Sequence, residues 1–468
     1  MGGREHPSEI EGPVGLEVFG ILQAENEPWL ADCFVPPADF DLMGGMQSIV
    51  VFGAPGSGKS AVREMLLRKN RDPSGRPYCL VARWQPMPSV PVSATGFQSV
   101  PGQVSYVLDA CAMAIVEHLA SYPDVWDRTP GWVQRLLIWF VHRFVQGNLA
   151  ARAGLFLEHQ RGLSSEAVEG LLCAEPDDDL LPPHNWPLVT AELSKAMNHL
   201  GLDGLWVVVD GLDPWLQTQF EHTTSVLGAF FSTLPLFEQA TFAYKIFLPV
   251  ALQSTLAAAA GLERHRIHSH RLEWREEQLV EIVERRLALT LSEQPFGLEN
   301  LCSTSELLEW LKIWGGNRPR AWLELVRPLA AYYLSQALNR PIEDKLWKKL
   351  RQQSPPRLFV DEANRRAIVG GREVSAAEIT SGGYRLLCYL FRNAGRVVSW
   401  EELYFRGYRG LDHVPRTSDD EDYEPPALYE RTLHSRMSDL RKAIEPDPQH
   451  PIYFDTVKGK GVRLQVSW

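Results

Sequence analysis

Short runs of consecutive apolar residues alternate with longer stretches in which apolar residues recur every three or four positions. The runs predict β-strands at residues 48–52, 78–84, 205–209 and 241–250. The three- and four-residue spacing predicts helices at 60–69, 104–119, 132–145, 163–172 and 188–200. A shorter strand pattern lies within 264–274. Strands that alternate with helices favour an α/β domain with a parallel sheet and helices on both faces.

The pattern becomes helical after this region. Helices are predicted at 274–289, 307–314 and 318–336, which together form a helical lid. Gly315 and Gly316 are typical of the end of a helix, and Pro319 is typical of the first turn of the next one. A polar linker at 352–356 then separates the lid from the C-terminal region.

The C-terminal region has the pattern of a small α+β domain. Short strands surround a Gly370-Gly371 turn, and three helices and a hairpin with Lys458 to Gly461 at its tip follow. The resulting division has a lead-in segment at 1–45, a core with a helical insert at 46–275, the lid at 276–351 and the C-terminal domain at 357–468.

The third helix of this C-terminal domain has two different faces. The apolar residues Leu433, Met437, Leu440 and Ile444 share one face of the helix. On the opposite face lie Arg431, Ser435, Ser438, Asp439 and Lys442. The first set is expected to pack against the domain, and the second is expected to face solvent or a ligand.

The segment Gly53-Ala-Pro-Gly-Ser-Gly-Lys-Ser60 matches the P-loop pattern G-x-x-x-x-G-K-[ST] between a strand and a helix. Glycines let the backbone curl so that its N–H groups face a phosphate, and the helix N-terminus adds partial positive charge. Lys59 is expected to reach the β- and γ-phosphates, and Ser60 to ligate Mg²⁺. The nucleotide-binding candidates are Gly53, Gly56, Ser57, Gly58, Lys59, Ser60 and Ala61. A glycine-rich turn that binds nothing is the alternative.

The predicted strand at 205–209 ends in Asp210, the pattern of a Walker B carboxylate. Because a nucleotide-bound Mg²⁺ needs an acidic partner, we assign Asp210 to the metal together with Ser60. Asp213 is the candidate for orienting the attacking water. A turn or helix cap before Pro214 is the alternative role for Asp213.

Composition narrows the function classes. The 468 residues carry a net charge of −11, which argues against bulk coating of nucleic acid, and 45% are hydrophobic, as in ordinary globular proteins. The six cysteines are scattered and predict reduced thiols in a cytoplasmic protein rather than disulfides or zinc. Polar residues interrupt the apolar stretch at 132–145, so no membrane partner is expected.

Three motifs follow one another along the chain: GAPGSGKS, VVVDGLD and GGNRPR. Together they resemble the STAND class of signal-transduction ATPases, which are related to NACHT and AAA+ proteins. The resemblance covers roughly residues 15–350. It implies that Pro319 lies against the adenine of ATP or ADP. Related NACHT-type proteins have a glutamate where this chain has Pro214, which implies slow hydrolysis with nucleotide binding intact. The repeat array that family members usually carry as a sensor is not visible in this sequence.

The third helix and the hairpin of the C-terminal domain contain the segments RTLHSRMSDLRKAIEPD and FDTVKGKGVRL. Together these segments resemble the winged-helix effector domain of OmpR-type response regulators. The resemblance implies that the third helix enters the major groove of DNA and that the hairpin wing contacts the backbone. By position, the DNA-binding candidates are Arg431, Thr432, Ser435, Arg436 and Arg441 on the helix, with Thr456 and Lys458 on the wing. The chain departs from the family at Ser438, Asp439 and Val462, and in a long acidic insert at 412–424.

The charge of this C-terminal domain leaves its ligand open. Residues 357–468 hold 17 basic and 17 acidic residues. Without the insert, 16 basic and 11 acidic residues remain, a net charge of +5. A DNA footprint beside an acidic flap is therefore one expectation, and a winged helix used only for protein contacts is the other.

Together these features predict an ATP-binding switch whose nucleotide state controls a winged-helix output, with Mg²⁺ as cofactor and slow ATP hydrolysis as its activity. The first hypothesis is a transcription regulator that binds double-stranded DNA. The second is a STAND ATPase of a bacterial defence or stress assembly, whose winged helix docks on protein. The third, a GTPase or kinase, has no supporting phosphoacceptor motif. A homo-oligomer and a separate protein partner both stay open.

Overall fold

The computed structural model describes residues 16–20, 23–84, 100–159, 166–212, 220–291, 296–336, 340–353, 355–362, 365–374, 378–415, 420–449 and 451–466. The chain divides into two compact units. The first, named the core unit here, comprises Gln23–Asn26 and Pro36–Glu273. The second, named the lid unit, comprises Met1–Leu22, Glu27–Val35 and Trp274–Trp468.

The core unit is built on a parallel sheet with the strand order β2-β3-β4-β1-β5 among the described residues. The strands are β1 (Ile49–Gly53), β2 (Cys79–Arg83), β3 (Gly204–Val209), β4 (Phe242–Pro249) and β5 (His268–Arg271). The three central strands are buried along their whole length, as expected for a parallel sheet covered on both faces. β4 separates the P-loop strand β1 from the Walker B strand β3.

Helices cover this sheet, and the predicted fold class is confirmed. The longer helices of the core unit are α1 (Lys59–Lys69), α2 (Val100–Ser121), α3 (Gly131–Phe144), α4 (Leu149–His159), α5 (Glu166–Cys173), α6 (Trp186–His199) and α7 (Phe220–Phe231). Among the described helices, α2 is long and apolar enough to cross a membrane by length and composition, but 61% of its apolar window is buried within the protein. Buried core helices of other proteins share this length and composition, so they are weak evidence for a membrane span.

A buried lysine fixes the segment that leads into β1. Lys245 on β4 is 1% exposed, and its ammonium donates to the carbonyl oxygens of Met43, Gly45 and Gln47 at 2.8, 2.6 and 2.8 Å. Burial lowers the pKa of Lys245 to about 7. Three carbonyl acceptors act in the opposite direction, because they favour the protonated ammonium and use all three of its donors. The lysine therefore holds the residues that precede the P-loop strand against the neighbouring strand.

The lid unit contains α8 (Glu276–Leu291), α9 (Glu306–Gly315), α10 (Pro319–Ser335) and α11 (Asp344–Gln353). Two short helical turns, Leu16–Phe19 and Leu30–Cys33, pack against α8. Arg286 of α8 forms a buried ion pair with Glu27 at 2.7 Å and donates to the carbonyl oxygen of Val18 at 2.6 Å. Removal of either charge would leave the other buried and uncompensated, so this pair fixes the lead-in turns to α8.

The C-terminal part of the lid unit is a winged helix. Its first sheet consists of β6 (Leu358–Asp361), β7 (Arg366–Val369) and β8 (Arg372–Val374). The helices are α12 (Ser381–Arg392), a turn at Trp400–Glu402 that continues as a π-helix at Leu403–Tyr408, and α13 (Pro426–Ile444). The second sheet joins β9 (Val397–Val398) to the wing strands β10 (Phe454–Val457) and β11 (Gly461–Leu464).

Two glycine pairs bring the winged helix into direct backbone contact with the lid helices. The amide of Gly371 donates to the carbonyl oxygen of Trp314 at 2.6 Å, and a Cβ added to Gly371 would overlap the carbonyl of Gly315. A Cβ on Gly316 would in turn lie 2.7 Å from the carbonyl oxygen of Gly371. The guanidinium of Arg372 lies over the ring of Trp314 at 5.5 Å. Side chains at these glycines would separate two backbones that the structure holds together.

Candidate functional site

The P-loop lies between the carboxyl end of β1 and the start of α1. Gly56 and Gly58 have positive φ angles of 78° and 93°, and Gly58 is the N-cap residue of α1. Only glycine adopts this conformation without steric cost, and two such residues turn successive amides toward a common point. These two φ angles agree with the curled backbone that the motif predicts.

Lys59 is folded against the first residues of the loop. The side chain is 6% exposed, and its ammonium donates to the carbonyl oxygens of Gly53 at 3.0 Å and Ala54 at 3.4 Å. A Cβ on Gly53 would overlap the hydroxyl of Ser57 and lie 3.1 Å from Cγ of Lys59. Glycine at position 53 thus makes room for the two side chains that follow it. Ala61 lies in the first turn of α1 and is half-buried.

Asp210 stands directly after β3 and faces the start of α1. Its Oδ2 atom accepts from the Ser60 hydroxyl at 3.0 Å and from Nη1 of Arg63 at 2.6 Å. Its Oδ1 atom accepts from the amide of Gly211 at 2.7 Å, and the side chain of Asp210 is 7% exposed. The structure thus brings together Ser60 and Asp210, the two residues assigned to the metal from the sequence.

Ser60 and Asp210 fit a magnesium ion bound with a nucleotide. Mg²⁺ prefers octahedral oxygen ligands at about 2.0–2.1 Å, so adjacent ligands lie about 3 Å apart. The distance of 3.0 Å between Ser60 Oγ and Asp210 Oδ2 meets this requirement. When bound, the metal would neutralise phosphate charge, and the curled loop and Lys59 would hold the phosphates.

Arg63 is a site residue that the sequence analysis missed. It lies on α1 three positions after Ser60, and its guanidinium also pairs with Glu64 at 2.8 Å and with Glu25. Burial lowers the pKa of Arg63, but its carboxylate partners, led by Asp210, outweigh burial and raise it overall. The spacing of three places Arg63 and Ser60 on one helix face, a signal that could have identified it.

Two further predicted site residues, Asp213 and Pro319, are considered separately. Asp213, together with Pro214, lies outside the described residues. Pro319 is buried at the first position of α10 in the lid unit, and the preceding Asn317 accepts from the amide of Trp274 at 2.7 Å. Their proposed roles with water and adenine stay predictions.

A separate cavity of about 290 Å³ lies at the opposite end of the sheet from the P-loop. Its lining includes Met46, Tyr78, Cys79 and Trp206, at or near the amino ends of the strands, whereas Gly53 and Asp210 stand at the carboxyl ends. Ligands of open parallel sheets bind outside the carboxyl ends of the strands. The P-loop end is therefore the candidate nucleotide site.

On α13 the two predicted faces are separated as the sequence pattern indicates. Leu433, Met437, Leu440 and Ile444 are each at most 2% exposed. On the other side, Arg431 and Ser435 are exposed, and Thr432, Arg436 and Arg441 are half-buried. The carboxylate of Asp439 lies 3.9 Å from the guanidinium of Arg436.

The wing is held against the end of α13. Arg441 donates to the hydroxyl of Thr456, which brings one predicted helix residue and one predicted wing residue into contact. Glu445, 2% exposed, accepts from the amides of Ile452, Tyr453 and Phe454 at 2.7, 2.9 and 2.7 Å. Lys458 is exposed at the tip. These contacts fix the position of the wing relative to α13.

Part of the acidic insert folds back on the preceding helix. Arg409 pairs with Asp422 at 3.1 Å and with Glu424 at 3.0 Å. The hydroxyl of Tyr404 donates to Glu424 at 2.7 Å, and burial together with this carboxylate raises the pKa of Tyr404 to about 12. Two of the acidic side chains are thereby neutralised within the domain, which reduces their repulsion of a phosphate backbone.

By fold, the chain combines an α/β domain of the P-loop NTPase class with a helical lid and a winged-helix domain. No protein family model matches it. The chain is 35% identical to the sensory transduction protein RegX3 of Mycobacterium leprae over 82 residues, which are 18% of the chain. It has the same identity over the same length to RegX3 of Mycobacterium tuberculosis. The chain spans about a third of the length of these curated relatives, 34% and 30% respectively.

Two solved structures are among those similar to the chain. The C-terminal DNA-binding domain of RstA from Klebsiella pneumoniae matches the C-terminal region, with 23% identity over 23% of this chain and 84% of that one and a TM-score of 0.18. The ORC1 protein of Aeropyrum pernix, in complex with DNA, matches with 14% identity over 97% of this chain and 94% of that one and a TM-score of 0.37.

Proposed function

We propose that this protein is an ATP-controlled switch with a DNA-binding output, and hence a transcription regulator. The curled P-loop, the buried Lys59 and the spacing of Ser60 and Asp210 support binding of ATP or ADP with Mg²⁺. The exposed polar face of α13 and the lysine at the wing tip support a DNA contact. The similarity to a sensory transduction protein agrees with a regulatory role.

The observation that carries this proposal is the direct contact between lid and winged helix. Pro319 opens α10, and the winged helix is joined to the preceding turn through the Gly371–Trp314 hydrogen bond and the close approach of Gly315 to Gly371. Packed interiors transmit displacement because they compress little. A nucleotide that draws Pro319 toward its adenine would therefore move the winged helix with the lid, as one body.

The finer parts of the proposal follow from the STAND resemblance and from the Walker B pattern. By that resemblance Pro319 contacts the adenine, whereas the Walker B pattern, which does not depend on the resemblance, assigns Asp210 to the metal and Asp213 to the attacking water. Pro214 stands where a carboxylate would speed hydrolysis, so the nucleotide is held for long periods and acts as a switch. The protein is then a slow ATPase, and its output depends on which nucleotide is bound.

Lys59→Ala tests the coupling between nucleotide and output. Loss of a charge-assisted contact with phosphate should weaken ATP binding about ten- to hundredfold, equivalent to roughly 1.5–3 kcal/mol. Calorimetry with MgATP measures the affinity, and anisotropy of a labelled duplex at low salt measures DNA binding by the full chain. Wild type should change its DNA affinity when MgATP is added, and Lys59→Ala should not. Equal ATP affinity in the two proteins would reject the P-loop role.

A second function is favoured by the surface around α13. The acidic insert is held directly before this helix through Arg409, which pairs with Asp422 and Glu424. An acidic segment held in this position suits basic groups on a protein partner in a defence or stress assembly. Failure of the isolated domain 357–468 to bind duplex at low salt, even after deletion of 417–424, would favour this function over DNA binding.

A further inference from the structure

Arg63 occupies the same carboxylate oxygen that a metal beside Ser60 would need. Both the Ser60 hydroxyl and Nη1 of Arg63 donate to Oδ2 of Asp210, at 3.0 and 2.6 Å. The other oxygen of Asp210 accepts from the amide of Gly211. A carboxylate oxygen has two lone pairs in its plane, so Ser60 and Arg63 together use those of Oδ2.

Three carboxylates surround this guanidinium. Glu64 accepts from Nε at 3.0 Å and from Nη2 at 2.8 Å, Glu25 accepts from Nη2, and Nη1 alone reaches Asp210. Release of Asp210 therefore breaks one contact and leaves Arg63 paired with two glutamates. An arginine held in this way can leave the metal ligand without becoming an unpaired charge.

We propose that Arg63 is a built-in competitor of Mg²⁺: it neutralises Asp210 until a nucleotide-bound metal takes Oδ2 and Arg63 withdraws onto Glu64 and Glu25. The inference rests on the proposed nucleotide function and names the regulation of that site. Arg63 sets the Mg²⁺ concentration at which the protein binds ATP tightly. Because Glu25 lies in the lead-in segment, the exchange also alters the contact between that segment and α1.

Electrostatic repulsion between Mg²⁺ and the guanidinium of Arg63 favours this exchange. If Mg²⁺ and the guanidinium both bound Oδ2, three positive charges would lie within a few ångströms of each other. The site is largely closed to water, because the side chain of Asp210 is 7% exposed and that of Arg63 is 16% exposed. Like charges at such distances repel strongly where water is largely excluded. Since Ser60 and Arg63 already use the lone pairs of Oδ2, the doubly charged ion carried by the phosphates replaces the singly charged side chain at that oxygen.

The test measures affinity for the non-hydrolysable analogue β,γ-imido-ATP by calorimetry at a series of free Mg²⁺ concentrations. Arg63→Gln should lower the Mg²⁺ concentration for half-maximal affinity by roughly tenfold, the factor of one charge-assisted hydrogen bond. Arg68→Gln, which removes the same charge from an exposed position on the same helix, should leave it unchanged. Arg63→Lys keeps the charge without the planar fork and should give an intermediate value.

Glu64→Gln provides an opposite test. Without this partner Arg63 withdraws less readily, so more Mg²⁺ should be needed, and the effect should shrink when Arg63→Gln is already present. Unchanged Mg²⁺ dependence in folded Arg63→Gln and Arg63→Lys would overturn the competition while leaving nucleotide binding in place. Absence of analogue binding by wild type at every Mg²⁺ concentration would overturn the nucleotide function, and the competition with it.

Discussion

Gly371→Ala should separate the winged helix from the lid. The added Cβ would overlap the carbonyl of Gly315 and lie 3.1 Å from Cβ of Ala321, so one of the two backbones must move. The movement would break the 2.6 Å hydrogen bond from Gly371 to Trp314, a loss of about 1 kcal/mol. It would also weaken the Arg372–Trp314 contact, a loss of about 0.5–1 kcal/mol. With the strain of overpacking, we expect a destabilisation of about 2–4 kcal/mol.

Urea unfolding of the full chain, followed by tryptophan fluorescence, measures this change, because Trp314 lies at the contact. Gly131→Ala is the matched control, since a Cβ there would meet no atom within 4 Å. It should alter the free energy of unfolding by no more than about 0.5 kcal/mol. Gly371→Ala should retain affinity for MgATP, because no P-loop atom changes, and should lose the effect of MgATP on DNA binding.

The reasoning would be refuted by a Gly371→Ala protein that unfolds at the same urea concentration as wild type. It would be refuted equally by a variant that loses stability but keeps the full response of DNA binding to MgATP. The first result would mean that the contact contributes little to the lid unit. The second would mean that the nucleotide acts on the winged helix by a route other than the lid.

Three further predictions concern the two candidate sites. Wild type should hydrolyse ATP at less than about 1 s⁻¹, and Asp210→Asn should remove most of that turnover, because the metal loses its anchor; phosphate release measures both. Arg436→Ala should cost about 1–3 kcal/mol on a cognate duplex and relax specificity at one position, which competition with altered duplexes measures. Lys458→Ala should weaken all duplexes alike and reduce the slope of log affinity against log salt by about 1, which anisotropy at several salt concentrations measures.

The local chemistry of the sequence determined the elements around the P-loop. The strand predicted at 48–52 is Ile49–Gly53, and the helix predicted at 60–69 is Lys59–Lys69. Glycines at fixed spacing dictate the turn wherever the loop occurs, so neighbouring residues suffice to predict it. The cap at Ser399 is equally local, because its hydroxyl accepts from the amide of Glu402, three residues further on, at 3.1 Å.

Apolar spacing likewise determined which face of α13 is buried. A helix turns every 3.6 residues, so Leu433, Met437 and Leu440 must share a side whatever they pack against. The pattern did not predict α7 (Phe220–Phe231), which follows the Walker B strand. Its mixed aromatic and polar residues acquire a buried face only from the core that surrounds Phe230 and Phe231.

Only the tertiary structure decided which side chains meet. Arg63 and Asp210 are 147 positions apart, and their contact depends on β3 ending beside the start of α1. Gly315 and Gly371 belong to segments that the sequence divides into separate domains, yet their backbones touch within one unit. Local propensity acts over a few residues, whereas these contacts arise from the order of strands and the packing of whole elements. The sequence alone therefore determined the motifs, and the fold decided which distant residues each motif contacts.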